Sequence, residues 1–358
     1  MYILLNWKKF RPYENMKEFV EFTDKLENNK DFKFIDLPNV ESIKNYIDEI
    51  NNLDLKIIFP ITGRMHNQEF IKQSNIEMIE IVKYTYFKKS KVKIYFTPQD
   101  VFMYNTNREL FYALYKFQTH NIKIIYSLID DEDYRKNILK LPVSQDLSKV
   151  IGKIHPMKYK ENNLFCIFNY AYKRAFIPFN NNPINKVCIG GVLKYDKNNN
   201  NPIYKQRSKY INILKNYPEI FERIPGDGRQ RLPKNNEDPA NSFSITLNTY
   251  IASIFTSIFN LTKSLVLLKI FEILASGSLL IVSNKEKKIC MKLGLKKNIH
   301  YKTLDNDNEY KIVKQINSML NPENRKKINE IRKNGQEFCR KNLNVDFMYN
   351  KFIKILKE

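Results

Sequence analysis

Glu272 is the residue whose setting first points to chemistry. It stands in the run Lys269-Ile-Phe-Glu272-Ile-Leu-Ala-Ser276-Gly277-Ser-Leu-Leu-Ile-Val282, between Phe271 and Ile273. A carboxylate in apolar surroundings is costly unless it is paired or hydrogen-bonded. Either it serves a ligand, or it lies on an exposed helix edge or pairs with Lys269 across one turn. Gly190-Gly191 closes an apolar run, and Lys205 and Arg207 follow at the start of a helical stretch. A strand, a glycine turn and a helix start make a loop whose N–H groups and nearby cations suit an anion. The alternative for each cation is a solvated surface charge. Ser276-Gly277 permits close backbone approach to a ligand, or simply packs a helix on a strand.

Residues able to take a proton from a hydroxyl group follow expected strands elsewhere. Asp100 lies just beyond 92–96, Asp130 and Asp131 beyond 122–129, and His155 at the end of 149–155. A turn residue or a helix cap is the competing reading for each.

The elements that must position these groups alternate along the chain. Strands are expected at 2–6, 32–35, 55–61, 92–96, 122–129, 149–155 and 164–170, with helices at 16–26, 41–50, 76–86 and 108–117. After the Asn-rich stretch 180–182 come a strand at 186–191, a helix at 203–216, a strand at 221–224 and a polar loop at 225–241. A helix is expected at 248–259, a short strand at 266–268, a helix at 270–276 and a strand at 279–282. A loop, a helix at 310–320 and a long basic helical tail at 322–357 complete the chain. Strands separated by helices imply parallel βαβ units. The natural division is an N-terminal domain 1–178, a C-terminal domain 183–342 and a last helix 343–358 crossing back to the first. Ligands of such sheets sit at the carboxyl ends of the strands, and the cleft between two domains is the expected site.

Composition bounds the function. The 358 residues are 43% hydrophobic and 27% charged, which excludes a disordered chain. Four scattered cysteines without a CxxC pair argue against a zinc or disulfide scaffold and fit reduced thiols in a cytoplasmic setting. The net charge of +22 suits a polyanion or a phosphate-bearing substrate, but Lys far outnumbers Arg and Asn runs accompany it, as A/T-rich codons produce. The opening Met1-Tyr2-Ile3-Leu4-Leu5 is too short for a signal peptide core. The apolar region 243–282 is broken by Lys263, Lys269 and Glu272, so no membrane span is expected there.

The segment 269–282 resembles the donor-binding signature of group 1 glycosyltransferases of the GT-B fold, K-x-F-E-x-x-A-x-G before an apolar strand. The resemblance runs over about 176–358 and is closest to the spore-maturation-like subgroup. Phe176-Ile-Pro178-Phe179 before 187–191, Tyr250, Gly294, His300-Tyr301, Asn321-Pro322-Glu323, Ile331, Gly335 and Phe347 follow the family pattern in order. It implies an α/β fold of GT-B type, two Rossmann-like domains facing a cleft. The N-terminal domain would take the acceptor and the C-terminal domain a nucleotide sugar.

The resemblance, joined to the residues read above, suggests several roles. Glu272 would hold the ribose hydroxyls. Lys269, Lys205, Arg207, Gly190 and Gly191 would meet the pyrophosphate, with Ser276 and Gly277 close by. Asp100 or His155 would be the catalytic base. The activity would be transfer of a hexosyl or related sugar, from UDP or GDP most simply, to a glycan, protein or lipid-linked hydroxyl. No further cofactor is expected. One departure leaves the stereochemistry open: many retaining members carry an acid eight positions before the family glutamate, where Ser264 stands. Asp305-Asn306-Asp307 mimics the metal-binding D-x-D of the other glycosyltransferase fold, but sits in a polar loop, and no metal is expected. The basic C-terminal helices fit the family's domain packing, with peripheral membrane contact as the alternative. The rival functions are nucleic-acid binding and a catalytically inactive GT-B binding module.

Overall fold

The computed structural model describes residues 1–6, 17–50, 53–61, 68–88, 92–98, 117, 122–126, 164–166, 171–190, 205–224, 239–256, 259–260, 263–264, 268–284, 286–304 and 308–358. The expected helix 108–116, the expected strand 149–155, and Asp100, Asp130, Asp131, His155, Gly191 and residues 305–307 lie outside them.

The chain forms two compact units, residues 1–168 with 349–358, and residues 169–348. In unit 1, β1 (Tyr2–Leu5), β2 (Phe32–Ile35), β3 (Lys56–Ile61), β4 (Lys93–Pro98), β5 (Ile122–Tyr126) and β6 (Leu164–Cys166) form a parallel sheet in the order β2-β1-β3-β4-β5-β6. Helices α1 (Lys17–Glu27), α2 (Val40–Glu49) and α3 (Gln68–Lys88) connect the first four strands. Asn39 caps α2 by accepting from Ser42 N at 2.8 Å, a local bond the sequence supplies unaided.

In unit 2 the strands are β7 (Ile184–Gly190), β8 (Phe221–Ile224), β9 (Tyr250–Ile254), β12 (Leu279–Ser283) and β13 (Tyr301–Leu304), all parallel, in the order β13-β12-β9-β7-β8. A small antiparallel pair, β10 (Phe259–Asn260) with β11 (Lys263–Ser264), stands apart. Its helices are α4 (Lys205–Leu214), α5 (Pro239–Thr249), α6 (Leu268–Ser276), α7 (Lys287–Lys292), α8 (Glu309–Leu320) and α9 (Arg325–Asn342), and the last helix, α10 (Val345–Lys357), belongs mostly to unit 1. Every residue of β9 and β12 is buried, because helices cover both faces of the sheet. In α8, Ile312, Ile316 and Leu320 recur every four residues and turn one face into this core. Leu320 is followed by Asn321-Pro322, where a proline cannot continue the helix.

Both sheets reverse strand order once, between β1 and β3 in unit 1 and between β7 and β9 in unit 2. That reversal leaves a crevice at the carboxyl ends of the two central strands, where open α/β sheets hold ligands.

Four expectations need correction. The helix expected at 248–259 is α5 at Pro239–Thr249 followed by strand β9. A short run buried on both sides has no polar face, so its periodicity cannot tell strand from helix. The loop expected before 310 contains β13, an edge strand that alternates too weakly to be noticed. The short strand expected at 266–268 does not reach Leu268, which starts α6. Helix α3 is far longer than 76–86.

The apolar faces of the basic tail pack into the protein. Ile328, Ile331 and Cys339 of α9 are buried in unit 2. Phe352, Ile355 and Leu356 of α10 join Leu4, Ile58 and Tyr95 in the core of unit 1. Each such apolar side chain contributes roughly 1.5–3 kcal/mol relative to exposure. Among the described residues no helix is long and apolar enough to cross a membrane.

Candidate functional site

Unit 2 brings together the residues that the signature segment singled out. Helix α6 starts at Leu268, just ahead of Lys269, and Glu272 lies one turn further. The helix forms because Leu268–Ser276 holds no glycine or proline and ends at Ser276-Gly277. Gly277 has φ +76°, a left-handed turn that a side chain rarely adopts. A Cβ there would also come within 3.1 Å of Gln336 Nε2 and 3.2 Å of Phe179 Cδ2.

Lys269 Nζ donates to the carbonyl of Gly190 at 2.8 Å, and lies 5.5 Å from the centroid of the Phe243 ring. This fastens the start of α6 to the carboxyl end of β7. The same ring crowds Gly190, since a Cβ would lie 3.1 Å from Phe243. Arg207, in the first turn of α4, is only 5% exposed and donates from Nε to Thr256 Oγ1 at 3.0 Å. Thr256 stands just past the end of β9. Lys269 and Arg207 are thus tied to the carboxyl ends of β7 and β9, the two strands at which the order reverses. The side chain of Lys205 is outside the described residues; its backbone opens α4.

Glu272 is 4% exposed, so the edge reading of this carboxylate does not apply. Tyr172 Oη donates to its Oε1 at 3.1 Å. Tyr172 is itself 1% exposed, so this hydrogen bond is shielded from water.

Ser276 and Gly277 are enclosed by protein. Ser276 Oγ donates to Ile273 O at 2.8 Å, and the Ser276 carbonyl accepts from Asn248 Nδ2 at 2.6 Å. Arg332 of α9, 1% exposed, donates to Gly277 O at 2.9 Å and to Asn180 O at 3.0 Å, and lies 4.7 Å from the Phe179 ring centroid. Burial, and then the charge of Arg325, pull its guanidinium down to about 10. Gln336 donates to Ile177 O and Ala275 O, both at 2.8 Å. These bonds satisfy the carbonyls exposed where α6 ends, and bind the entering segment 177–180 to it. The turn after α6 is therefore held from three sides, which fixes where Glu272 points.

Tyr172, Thr256, Asn248, Arg332 and Gln336 are absent from the sequence-based candidates. A basic helix reads as solvated, so Arg332 and Gln336 carry no signal of burial. Tyr172 is one tyrosine among 22. Ser264 pairs with Phe259 in the β10–β11 ladder. The described thiols, Cys188, Cys290 and Cys339, are free and buried. Burial pushes the Cys188 thiol up to about 12, so it stays protonated and unreactive. Among the described residues no cluster of three or more His, Cys, Asp or Glu is placed to hold a metal ion.

No family model matches the chain, and no curated protein matches it by sequence. Solved structures do resemble it. The Anabaena protein Alr3699/HepE in complex with UDP superposes with a TM-score of 0.54 at 9% identity, covering 99% of each chain. The same protein with UDP and glucose gives 0.51 at 10% identity, again over 99% of each chain. With UDP-glucose it gives 0.50 at 9% identity and the same coverage. The two parallel sheets with their helices, and this likeness over the whole length, give the chain the GT-B fold of glycosyltransferase structures.

Proposed function

We propose that the protein is a glycosyltransferase that moves a sugar from a nucleotide-sugar donor to a hydroxyl acceptor, with unit 2 holding the donor. One observation carries this reading. The only carboxylate of the signature segment is buried and oriented by Tyr172, on the same short helix whose lysine reaches the strand end at the sheet's reversal point. Glu272 would accept the ribose hydroxyls. Arg207, Lys269 and the amino ends of α4 and α6 would face the diphosphate, with Lys205, Gly190 and Gly191 contributing along the same loop. As the bond from the anomeric carbon to the β-phosphate oxygen breaks, negative charge grows on that oxygen, and fixed cations stabilise it. The acceptor oxygen forms the new bond and loses its proton to a base, for which Asp100 and His155 of unit 1 remain the candidates.

UDP sugars are the first donors to test, because the superposing HepE structures hold UDP and UDP-glucose. Thermal unfolding would be followed with UDP-, GDP-, TDP- and CMP-sugars, for the wild type and for Glu272→Ala. A ligand at about 100 times its Kd stabilises the fold by roughly 2.7 kcal/mol. A shift with UDP sugars that vanishes in a folded Glu272→Ala supports the reading. No shift with any donor removes it.

A further inference from the structure

The residues between β12 and β13 form a face that the donor chemistry does not use. Residues 287–302 contain six lysines and no Asp or Glu. In α7 the spacing of three and four residues puts Lys287, Lys288, Met291 and Lys292 on one side. Ile289 and Cys290 occupy the other side and are 1% and 0% exposed. Met291 is therefore ringed by lysines, and it is 63% exposed.

The next turn repeats the arrangement. Gly294, at φ +79°, ends α7, and Leu295 N returns to Cys290 O at 2.8 Å. His300 N then donates to Lys296 O at 2.9 Å across a tight turn with Asn298 at φ 64°. That turn holds out Ile299, 45% exposed, beside Lys296 and Lys297. Lys302 follows on β13, the edge strand of the sheet. Burial first, then the amines of Lys327 and Lys297, hold Lys302 below the ordinary lysine range, so Lys327 of α9 joins the cluster. The turn at 293–300 lies at the amino end of β13, the opposite edge of the sheet from Gly190 and Thr256.

Two apolar tips standing out of a lysine field match a surface of phosphate headgroups over hydrocarbon. The rings of this segment do not offer themselves for base stacking: Tyr301 is fully buried, and His300 is packed on Phe338 with centroids 4.5 Å apart. We propose that this lysine-ringed edge of unit 2 docks the protein on an anionic lipid surface, with Met291 and Ile299 entering the headgroup layer. The inference stands independently of the donor chemistry.

The test is flotation of the full chain with vesicles of phosphatidylcholine alone, or of phosphatidylcholine with phosphatidylglycerol. The wild type floats with the anionic vesicles and is released by salt. Lys287→Gln, Lys288→Gln and Lys292→Gln together weaken the partition roughly a hundredfold, about fivefold for each lysine. Met291→Ser with Ile299→Ser weakens it about tenfold at unchanged charge. A control of equal charge, Lys30→Gln, Lys33→Gln and Lys215→Gln, lies on other exposed surfaces and retains binding. No flotation of the wild type overturns the proposal, as does equal loss in the control, which reports net charge alone. Binding of a single-stranded oligonucleotide that the first triple variant abolishes, without flotation, assigns the face to nucleic acid and also overturns it. Unfolding temperatures of all variants separate these outcomes from loss of fold.

Discussion

Units 1 and 2 share a strand order, yet among the described residues the carboxyl ends of their strands carry different polar groups. In unit 1 the carboxyl end of β1 closes on Asn6, 1% exposed and at φ 50°. Its side chain exchanges two bonds with the Leu37 backbone, accepting from N at 2.6 Å and donating to O at 3.1 Å. These bonds fasten the end of β1 to the segment that follows β2. Among the described residues, Lys56, Lys93 and Lys123 of this sheet stand at or next to the amino ends of their strands. There Lys56 Nζ donates to the Leu356 carbonyl near the end of α10, where the helix dipole is negative. In unit 2, Lys269 and Arg207 are tied to the carboxyl ends of β7 and β9, with Glu272 one turn from Lys269, while a second set of lysines lies toward the amino end of β13. Topology supplies a crevice to both units, and in unit 2 the described side chains at its rim include two cations, Lys269 and Arg207.

Exchanging the two rims for alanine tests this contrast most sharply. Glu272→Ala is expected to abolish the nucleotide-induced thermal shift, roughly 2.7 kcal/mol at a hundredfold excess over Kd. Asn6→Ala is expected to lower unfolding free energy by about 1–3 kcal/mol, because the Leu37 groups lose their partner, while nucleotide affinity is unchanged. Chemical denaturation and calorimetric titration report the two quantities separately.

Gly335→Ala probes the packing behind the site. A Cβ there would lie 2.8 Å from the His300 carbonyl oxygen, a backbone atom, and 3.1 Å from Leu274 Cδ2. A loss of about 2–3 kcal/mol in urea unfolding is expected, felt in unit 2. An unchanged midpoint would mean that α9 can move away from β13 freely.

Charge removal at the two edges follows. Lys269→Met and Arg207→Met should each weaken UDP binding about tenfold, the loss of one charge-assisted contact. Lys56→Met should leave it unaltered. Equal losses at both edges would show that the field of the whole chain, not the rim, attracts the ligand.

Tyr172→Phe is the subtler case. If its hydroxyl orients Glu272, the preference for UDP over 2′-deoxy-UDP falls about three- to tenfold while the unfolding temperature stays nearly constant. A purely structural tyrosine would change the temperature and leave that preference intact.

The smallest expected effect is on pH. Burial, and then Lys296, hold His300 below its ordinary 6.5. The unfolded chain thus takes up a proton first as pH falls, so stability is full above 6.5 and is lost as pH drops through the lowered value. Protonation would also end the acceptance from Lys296 N by Nδ1, now at 3.0 Å. Thermal unfolding between neutral and mildly acidic pH should show a small decline that His300→Phe removes.

Much of this was legible in the residues alone. Alternation of strand and helix periods marks both α/β units, and β2 and β8 fall where they are expected. Glu272 is conspicuous because its neighbours are apolar, and Gly190 with Arg207 because a strand, a turn and a helix start follow one another. These are local features, set by side-chain periodicity and backbone freedom within a few residues. The strand β9 was hidden because burial on both faces erases the alternation that distinguishes strand from helix. The base candidates lie outside the described residues.

Only the tertiary structure joined Tyr172 to Glu272 and Lys269 to Gly190, pairs separated by 100 and 79 residues. Only it showed that Arg332, in a helix that reads as solvated, is buried to hold the end of α6. The reason is physical. A polar side chain is buried when distant backbone groups need its hydrogen bonds. Which carbonyls are left needing them is decided by how helices and strands pack, and no local stretch of sequence contains that information.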